Sequence, residues 1–186
     1  MKKTILGFLV ASSLMMTSCL EDIATDLVGT YPFNELYEID QTGAFEESRT
    51  LSVADVTDEI DFDGEVKSVG VNSVKILVTV NSGNTAESVD LFANITSGGI
   101  SYDLFTKTVD LTSFTVGQEQ EFILNPELNP AAVTLFTLKV KEIINGTFDV
   151  NEQFTISVGG DTNPGNSTIK ATVRLMIDSE CVYTTN

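Results

Sequence analysis

Ile169-Lys170-Ala171-Thr172-Val173-Arg174-Leu175-Met176-Ile177 decides the fold class. Ile169, Ala171, Val173, Leu175 and Ile177 recur at every second position, opposed by Lys170, Thr172, Arg174 and then Asp178. A period of two places the apolar set on one side of an extended chain, which is the pattern of a strand with one buried face. The same period runs upstream. Val74, Ile76, Val78 and Val80 alternate with Lys75, Leu77 and Thr79, and Asn81-Ser82-Gly83-Asn84 supplies a turn. Val89, Leu91, Ala93 and Ile95 alternate with Asp90, Phe92 and Asn94, and Ser97-Gly98-Gly99 closes that run. Ile100, Tyr102 and Leu104 carry the pattern toward Val109. Short strands are expected at Phe122–Leu124, before Asn125-Pro126, and at Phe154–Val158, before the turn-forming run from Gly159 to Asn166.

Two segments read as helices. Residues 51–60 show rough helical spacing in Leu51, Val53, Val56 and Ile60. Asn129-Pro130 is an N-cap followed by proline at the first helical position, and Asn145-Gly146 is a stop. Between them Val133, Phe136, Val140 and Ile143 or Ile144 keep helical spacing, while Thr134, Thr137 and several Val and Ile also suit a strand; the agreement of caps and length favours the helix. Seven or so strands with one or two short helices predict an antiparallel β-sandwich, with a closed β-barrel as the alternative. The helix near 130–145 is expected as a crossover at one end of the sandwich. Tyr31 and the residues to 48 read as an extended lead-in supplying an edge strand.

Composition bounds the chemistry. The chain has 186 residues, 10 Lys+Arg against 27 Asp+Glu, a formal charge of −17, no His and no Trp. Its length suits one domain with a substantial core. Without His there is no imidazole base, no Ser-His-Asp or Cys-His nucleophile system and no His-containing zinc site. Strong acidity argues against nucleic acid, since phosphate binding needs clustered cations. It also repels anionic lipid head groups and favours basic partners or divalent cations.

The N-terminus carries an address. Lys2 and Lys3 precede a short apolar run from Ile5 to Leu14, and Met16-Thr17-Ser18-Cys19 follows. The run is too short to span a bilayer and reads as a secretory leader. It resembles a bacterial lipoprotein signal, whose lipobox ends in an invariant Cys that is acylated and becomes residue one; Met16 stands where Leu is commonest. Glu21 and Asp22 just after Cys19 resemble the acidic surface-export signal of Bacteroidetes outer-membrane lipoproteins. The resemblance implies a signal peptide at 1–18, an acidic tether at 19–30, a single β-sandwich domain at 31–186, lipidation of Cys19 with palmitate-type chains, and a place at the outer membrane. It also implies a membrane partnership through the lipid. The order of strands is similar to immunoglobulin-like modules of such lipoproteins, and the buried Trp and paired Cys of antibody-type domains are both missing. Gly29-Thr30-Tyr31 resembles the Gly-x-Trp opening of lipocalins, with Tyr in place of Trp.

Few motifs carry chemistry. Glu59-x-Asp61-x-Asp63-Gly64 resembles the first half of an EF-hand loop, so Glu59, Asp61 and Asp63 are the candidate Ca²⁺ ligands. The bidentate Glu of the twelfth position would fall at Gly70, and the alternative is an acidic solvated turn. No motif singles out a pair of carboxylates for glycoside hydrolysis. Tyr31, Tyr37, Tyr102 and Tyr183 are candidate stacking faces for a sugar. Cys181, with no His to activate it, reads as a small buried hydrophobe. The sequence therefore predicts a non-catalytic envelope lipoprotein that binds an unknown protein or glycan or builds a surface structure. A carrier of an apolar ligand and a calcium-dependent adhesion module are the alternatives.

Overall fold

A computed structural model describes residues 26–60, 64–149 and 151–184. The chain runs β1 (Asp26–Thr42), β2 (Phe45–Leu51), α1 (Val53–Thr57), β3 (Glu65–Val80), β4 (Ser88–Ser97), β5 (Ile100–Asp110) and β6 (Glu119–Ile123). A 3₁₀ turn at Asn125–Glu127 leads into α2 (Pro130–Ile144), then β7 (Phe154–Asn163) and β8 (Thr168–Thr184). The strands form two antiparallel sheets of four, ordered β1-β8-β3-β6 and β2-β7-β4-β5.

The predicted sandwich is present and the barrel is not, because the two sheets remain separate. The strand order is that of a jelly roll. In an immunoglobulin-like domain the first strand would neighbour the second in a sheet. Here β1 pairs with β8, from Asp26 opposite Thr184 to Thr42 opposite Thr168. Every connection except β4–β5 passes from one sheet to the other. Alternation fixes which side of a strand is buried but says nothing of its neighbours, so the immunoglobulin-like order expected from sequence is corrected here.

The alternation places the core as read. Val74, Ile76, Val78, Ile169, Ala171, Val173, Leu175 and Ile177 line one sheet's inner face and meet Val89, Leu91, Ala93, Ile95, Ile156 and Val158 of the other. The one hairpin within a sheet turns on Gly98-Gly99, with φ of +57° and +77°. Two consecutive positive φ values suit a two-residue turn of the kind that matches strand twist, and glycine adopts them without a Cβ penalty.

Both helices form where the sequence placed them, α2 at its predicted caps and α1 with a cap the spacing did not announce. The Asn129 side chain accepts a hydrogen bond from Ala131 N–H, with Pro130 next. Ser52 and Asp55 exchange hydrogen bonds as a capping box for α1. The helices close the same end of the sandwich, since both link strand ends lying beside the start of β3. There α2 buries Leu135, Phe136, Val140 and Ile143, and the Phe136 and Phe154 rings meet at 6.1 Å.

Three boundaries differ from the sequence reading. β1 begins at Asp26, inside the stretch read as tether; residues 26–30 are largely exposed, so no alternation announces them. β3 begins at Glu65, and its first half carries register slips between Val66 and Ser68 and between Val71 and Ser73 that break the period. β7 runs on through Gly159-Gly160, read as a turn. A Cβ on Gly159 would lie 2.4 Å from the Phe92 ring and 2.8 Å from the Phe45 carbonyl oxygen. These glycines mark close approach within a strand, not a bend.

The connection between β6 and β7 covers a sheet edge. β6 pairs only with Lys75–Thr79 of β3, which leaves the outer edge of Glu65–Val74 without a strand. Asn145 accepts from Val66 N–H at 2.9 Å and donates to Val66 C=O at 2.9 Å. Asn125 accepts from Val74 N–H at 2.8 Å and donates to Asn72 C=O at 3.0 Å. Each carboxamide presents one donor and one acceptor, as a peptide group would, and so stands in for a missing neighbour. Replacing Asn145 by Ala is expected to cost about 1–3 kcal/mol by denaturant unfolding, since two part-buried backbone groups lose their partners. Gly159→Ala is expected to cost a similar amount, about 1–3 kcal/mol through overpacking, with urea melts as the check.

Candidate functional site

Two regions present chemistry at the surface. The first is a cleft of about 370 Å³ between β1, β2 and α1, lined by Tyr31, Asn34, Glu35, Arg49, Asp55 and Glu59 among others. Arg49 reaches across it, 3.2 Å from an Asp55 oxygen and 3.8 Å from a Glu35 oxygen. Asp55 also accepts hydrogen bonds from Ser52 N–H and Oγ–H, each at 2.7 Å. Those two bonds, with the Arg49 charge, hold the Asp55 carboxyl below the usual carboxylate range. Burial, then the Asp55 and Glu59 charges, push the Tyr31 phenol well above its ordinary value. Asp55 is thus an ionised cap and Tyr31 a protonated phenol near neutrality. A general acid–base pair needs groups poised near the working pH, and neither is. The charges described here pin α1 onto β2.

Of the calcium candidates, Glu59 is exposed at this cleft. Asp61 and Asp63 lie outside the described residues. Among the described residues no three Asp, Glu or Cys side chains gather as metal ligands would. Cys19 also lies outside the described residues. Cys181 is buried, and burial together with Glu180 pushes its thiol up to about 11, which keeps it protonated and unreactive. Tyr31 and Tyr37 are core residues, and the Tyr37 hydroxyl donates to Ile156 C=O at 3.4 Å. Of the four tyrosines only Tyr102 is well exposed, at 39%. Of the run from Asp161 to Asn166 read as a turn, Asp161–Asn163 complete β7, and the turn that follows is held by Thr162 Oγ1, which donates toward Pro164 C=O and Ser167 C=O, each at 3.3 Å.

The second region is the outer face of the β2-β7-β4-β5 sheet. The registers set Glu46, Gly159, Phe92 and Thr106 in one row. Ser48, Ser157, Asn94 and Asp103 form the next, and Thr50, Thr155, Thr96 and Ser101 the one beyond. On the other side of Phe92 lie Asp161, Asp90 and Thr108. Thr50 and Thr155 hydroxyls are 3.1 Å apart, and those of Thr96 and Ser101 2.8 Å apart. With its amide turned so that nitrogen faces Asp103, Asn94 donates to that carboxylate at 2.8 Å. Sequence reasoning passed over Phe92. The available signal is its place on the polar side of the β4 alternation, between Asp90 and Asn94.

The other sheet's outer face differs. It sets Leu36, Arg174, Leu77 and Glu121 in one row, with Met176, Lys75 and Ile123 beside them. Arg174 Nε is buried there with no hydrogen-bond partner among the described residues.

No protein-family model and no curated protein matches the sequence. Solved structures resemble it in outline. A turnip yellow mosaic virus structure is 8% identical over 87% of this chain and 84% of its own, with a TM-score of 0.38. The family 11 carbohydrate-binding module of a cellulosomal cellulase of Clostridium thermocellum is 11% identical over 85% of this chain and 89% of its own, with a TM-score of 0.32. The fold assignment rests on the strand order itself.

One ionic cluster ties the end of the sandwich together. Glu152 accepts from Ser97 Oγ–H and from Lys139 Nζ at 3.0 Å, and Lys139 also reaches Glu142 at 2.8 Å. The Ser97 hydrogen bond, then that from Lys139, lowers the Glu152 pKa. A depressed carboxylate adds stability above its unfolded pKa and loses it as pH falls through the folded one. Wild type and Glu152→Gln are therefore expected to differ in melting temperature at pH 7. The two curves should converge as the pH drops through and below about 4. A gap that persists in acid would assign the effect to packing instead.

Proposed function

We propose that this chain is a lipid-anchored lipoprotein of the outer membrane or cell surface whose β-sandwich serves a non-catalytic binding or structural role. The lipobox-like Met16-Thr17-Ser18-Cys19 carries the reading. Acyl chains on Cys19, at about 0.8 kcal/mol per buried methylene, would hold the body stably on a bilayer. The few residues from Cys19 to Asp26 reach about 25 Å at most when extended, so the body would ride close above the lipid. The end carrying Asp26, Thr184 and both helices would then lie nearest the membrane. The loops around 81–87, 111–118 and 164–167 would point away. The net charge of −17 would hold the body off anionic head groups, as far as that short reach permits.

Non-catalysis is supported by the charge assignments in the cleft, where Asp55 caps α1 and Arg49 is paired with it. Metabolic labelling tests the anchor. In a bacterium that processes lipoproteins, wild type should take up labelled palmitate and sediment with membranes. Cys19→Ala should do neither. Equal labelling of the two would overturn the anchored reading.

A further inference from the structure

We propose that the outer face of the β2-β7-β4-β5 sheet binds a neutral polysaccharide, with one sugar ring stacked on Phe92. The proposal rests on the binding-module reading above and names its ligand class. Three observations carry it.

The first is the platform. The Phe92 side chain lies across Gly159, so close that a Cβ there would sit 2.4 Å from Cζ and 2.7 Å from Cε2. The missing side chain lets the ring lie down on the sheet instead of standing off it. Phe92 remains partly exposed. A flat apolar surface of this kind suits the C–H face of a pyranose, which is itself apolar.

The second is the surround. Thr106 neighbours Phe92 on β5, and Asn94 and Asp90 flank it along β4. Ser157 and Asp161 lie on β7 on either side of Gly159, with Glu46 beyond on β2. Positions directly opposite or diagonal on a sheet lie about 5–8 Å apart, the spacing at which hydroxyls around a stacked sugar would meet them. Ser157 faces outward yet is only 6% exposed, and among the described residues nothing hydrogen-bonds its hydroxyl. The Thr50–Thr155, Thr96–Ser101 and Asn94–Asp103 pairs hold the neighbouring rows in order, which reduces the rotamer entropy lost on binding.

The third is charge. Among the described residues the outward register of this sheet holds Glu46, Asp90, Asp103, Asp110 and Asp161 and no cation. The sheet's two cations fall on the opposite side of the alternation. Arg49 pairs with Asp55 and Glu35, and Lys107 with Glu127 at 2.6 Å. Carboxylates accept strong hydrogen bonds from sugar hydroxyls and repel uronate or sulfate groups, so the fit is to an uncharged glycan.

Affinity electrophoresis of the full chain tests this. A polyoxyethylene detergent keeps the chain in solution without offering a competing sugar head group. The gels contain xyloglucan, mixed-linkage β-glucan, galactomannan, yeast α-mannan or starch, with polygalacturonate and chitosan as charged controls. At least one neutral polysaccharide should retard wild type. Phe92→Ala should weaken that retardation about tenfold or more. Asp161→Ala, at an exposed position, should weaken it several-fold and carries the test if Phe92→Ala does not fold. Ile123→Ala, exposed on the other sheet, should leave it unchanged. No retardation by any neutral polysaccharide, retardation only by a charged one, or wild-type binding by folded Phe92→Ala and Asp161→Ala would overturn the proposal. Palmitate labelling of wild type, read beside the same gels, separates the two readings. A chain that takes no palmitate but is retarded sinks the anchor alone, and a labelled chain that is never retarded sinks the platform alone.

Discussion

The pairing of the first strand with the last is the constraint on which the rest depends. β8 lies between β1 and β3, bonded along its length to one and over most of it to the other. Its inner row, Ile169 to Ile177, is the middle of one wall of the core. Until the last strand is in place, β1 has no hydrogen-bonded neighbour and β3 has only β6. Such non-local pairing makes folding slow relative to a helical domain of equal size, because the loop must close before its contacts form.

The second constraint follows from the first. A four-stranded wall whose outermost member, β6, has five residues leaves much of β3 exposed along its edge. The long crossover to β7 is the segment available to cover it. Its asparagines at 125 and 145 meet the backbone of β3 while its helix fills the open end of the sandwich. One stretch of chain thus satisfies backbone polar groups and buries apolar surface together. Asn129 N–H also reaches Leu104 C=O on the far sheet's edge, so the same crossover touches both walls.

The legible parts of the fold were those where burial is one-sided. Val74 to Val80, Val89 to Ile95 and Ile169 to Ile177 declare their inner faces because each outer neighbour is polar or exposed to mixed surroundings. The caps of α2 were legible because Asn129, Pro130 and Gly146 act locally. Strand order was not, since the jelly-roll and immunoglobulin arrangements demand the same alternation. Gly159-Gly160 misled for a physical reason: a glycine that makes a turn and a glycine that makes room for Phe92 look alike in one dimension. The candidate platform was hidden for the same reason, its parts lying on four strands from Glu46 to Asp161. The motif that did stand out locally, around Glu59, puts Glu59 at the surface beside a cleft whose neighbouring charges cap a helix.

The ladder between β1 and β8 has a mechanical meaning. A chain held through the residues ahead of Asp26 and dragged by flow or by a bound polymer would be pulled along the axis of β1. Seventeen residues of β1 face β8 in continuous register, so the load would fall on many hydrogen bonds at once, in shear. Pulled instead from Thr184 sideways, the same bonds would open singly, like a zip. The order of the strands therefore sets which end of this molecule is the strong place to tie a rope.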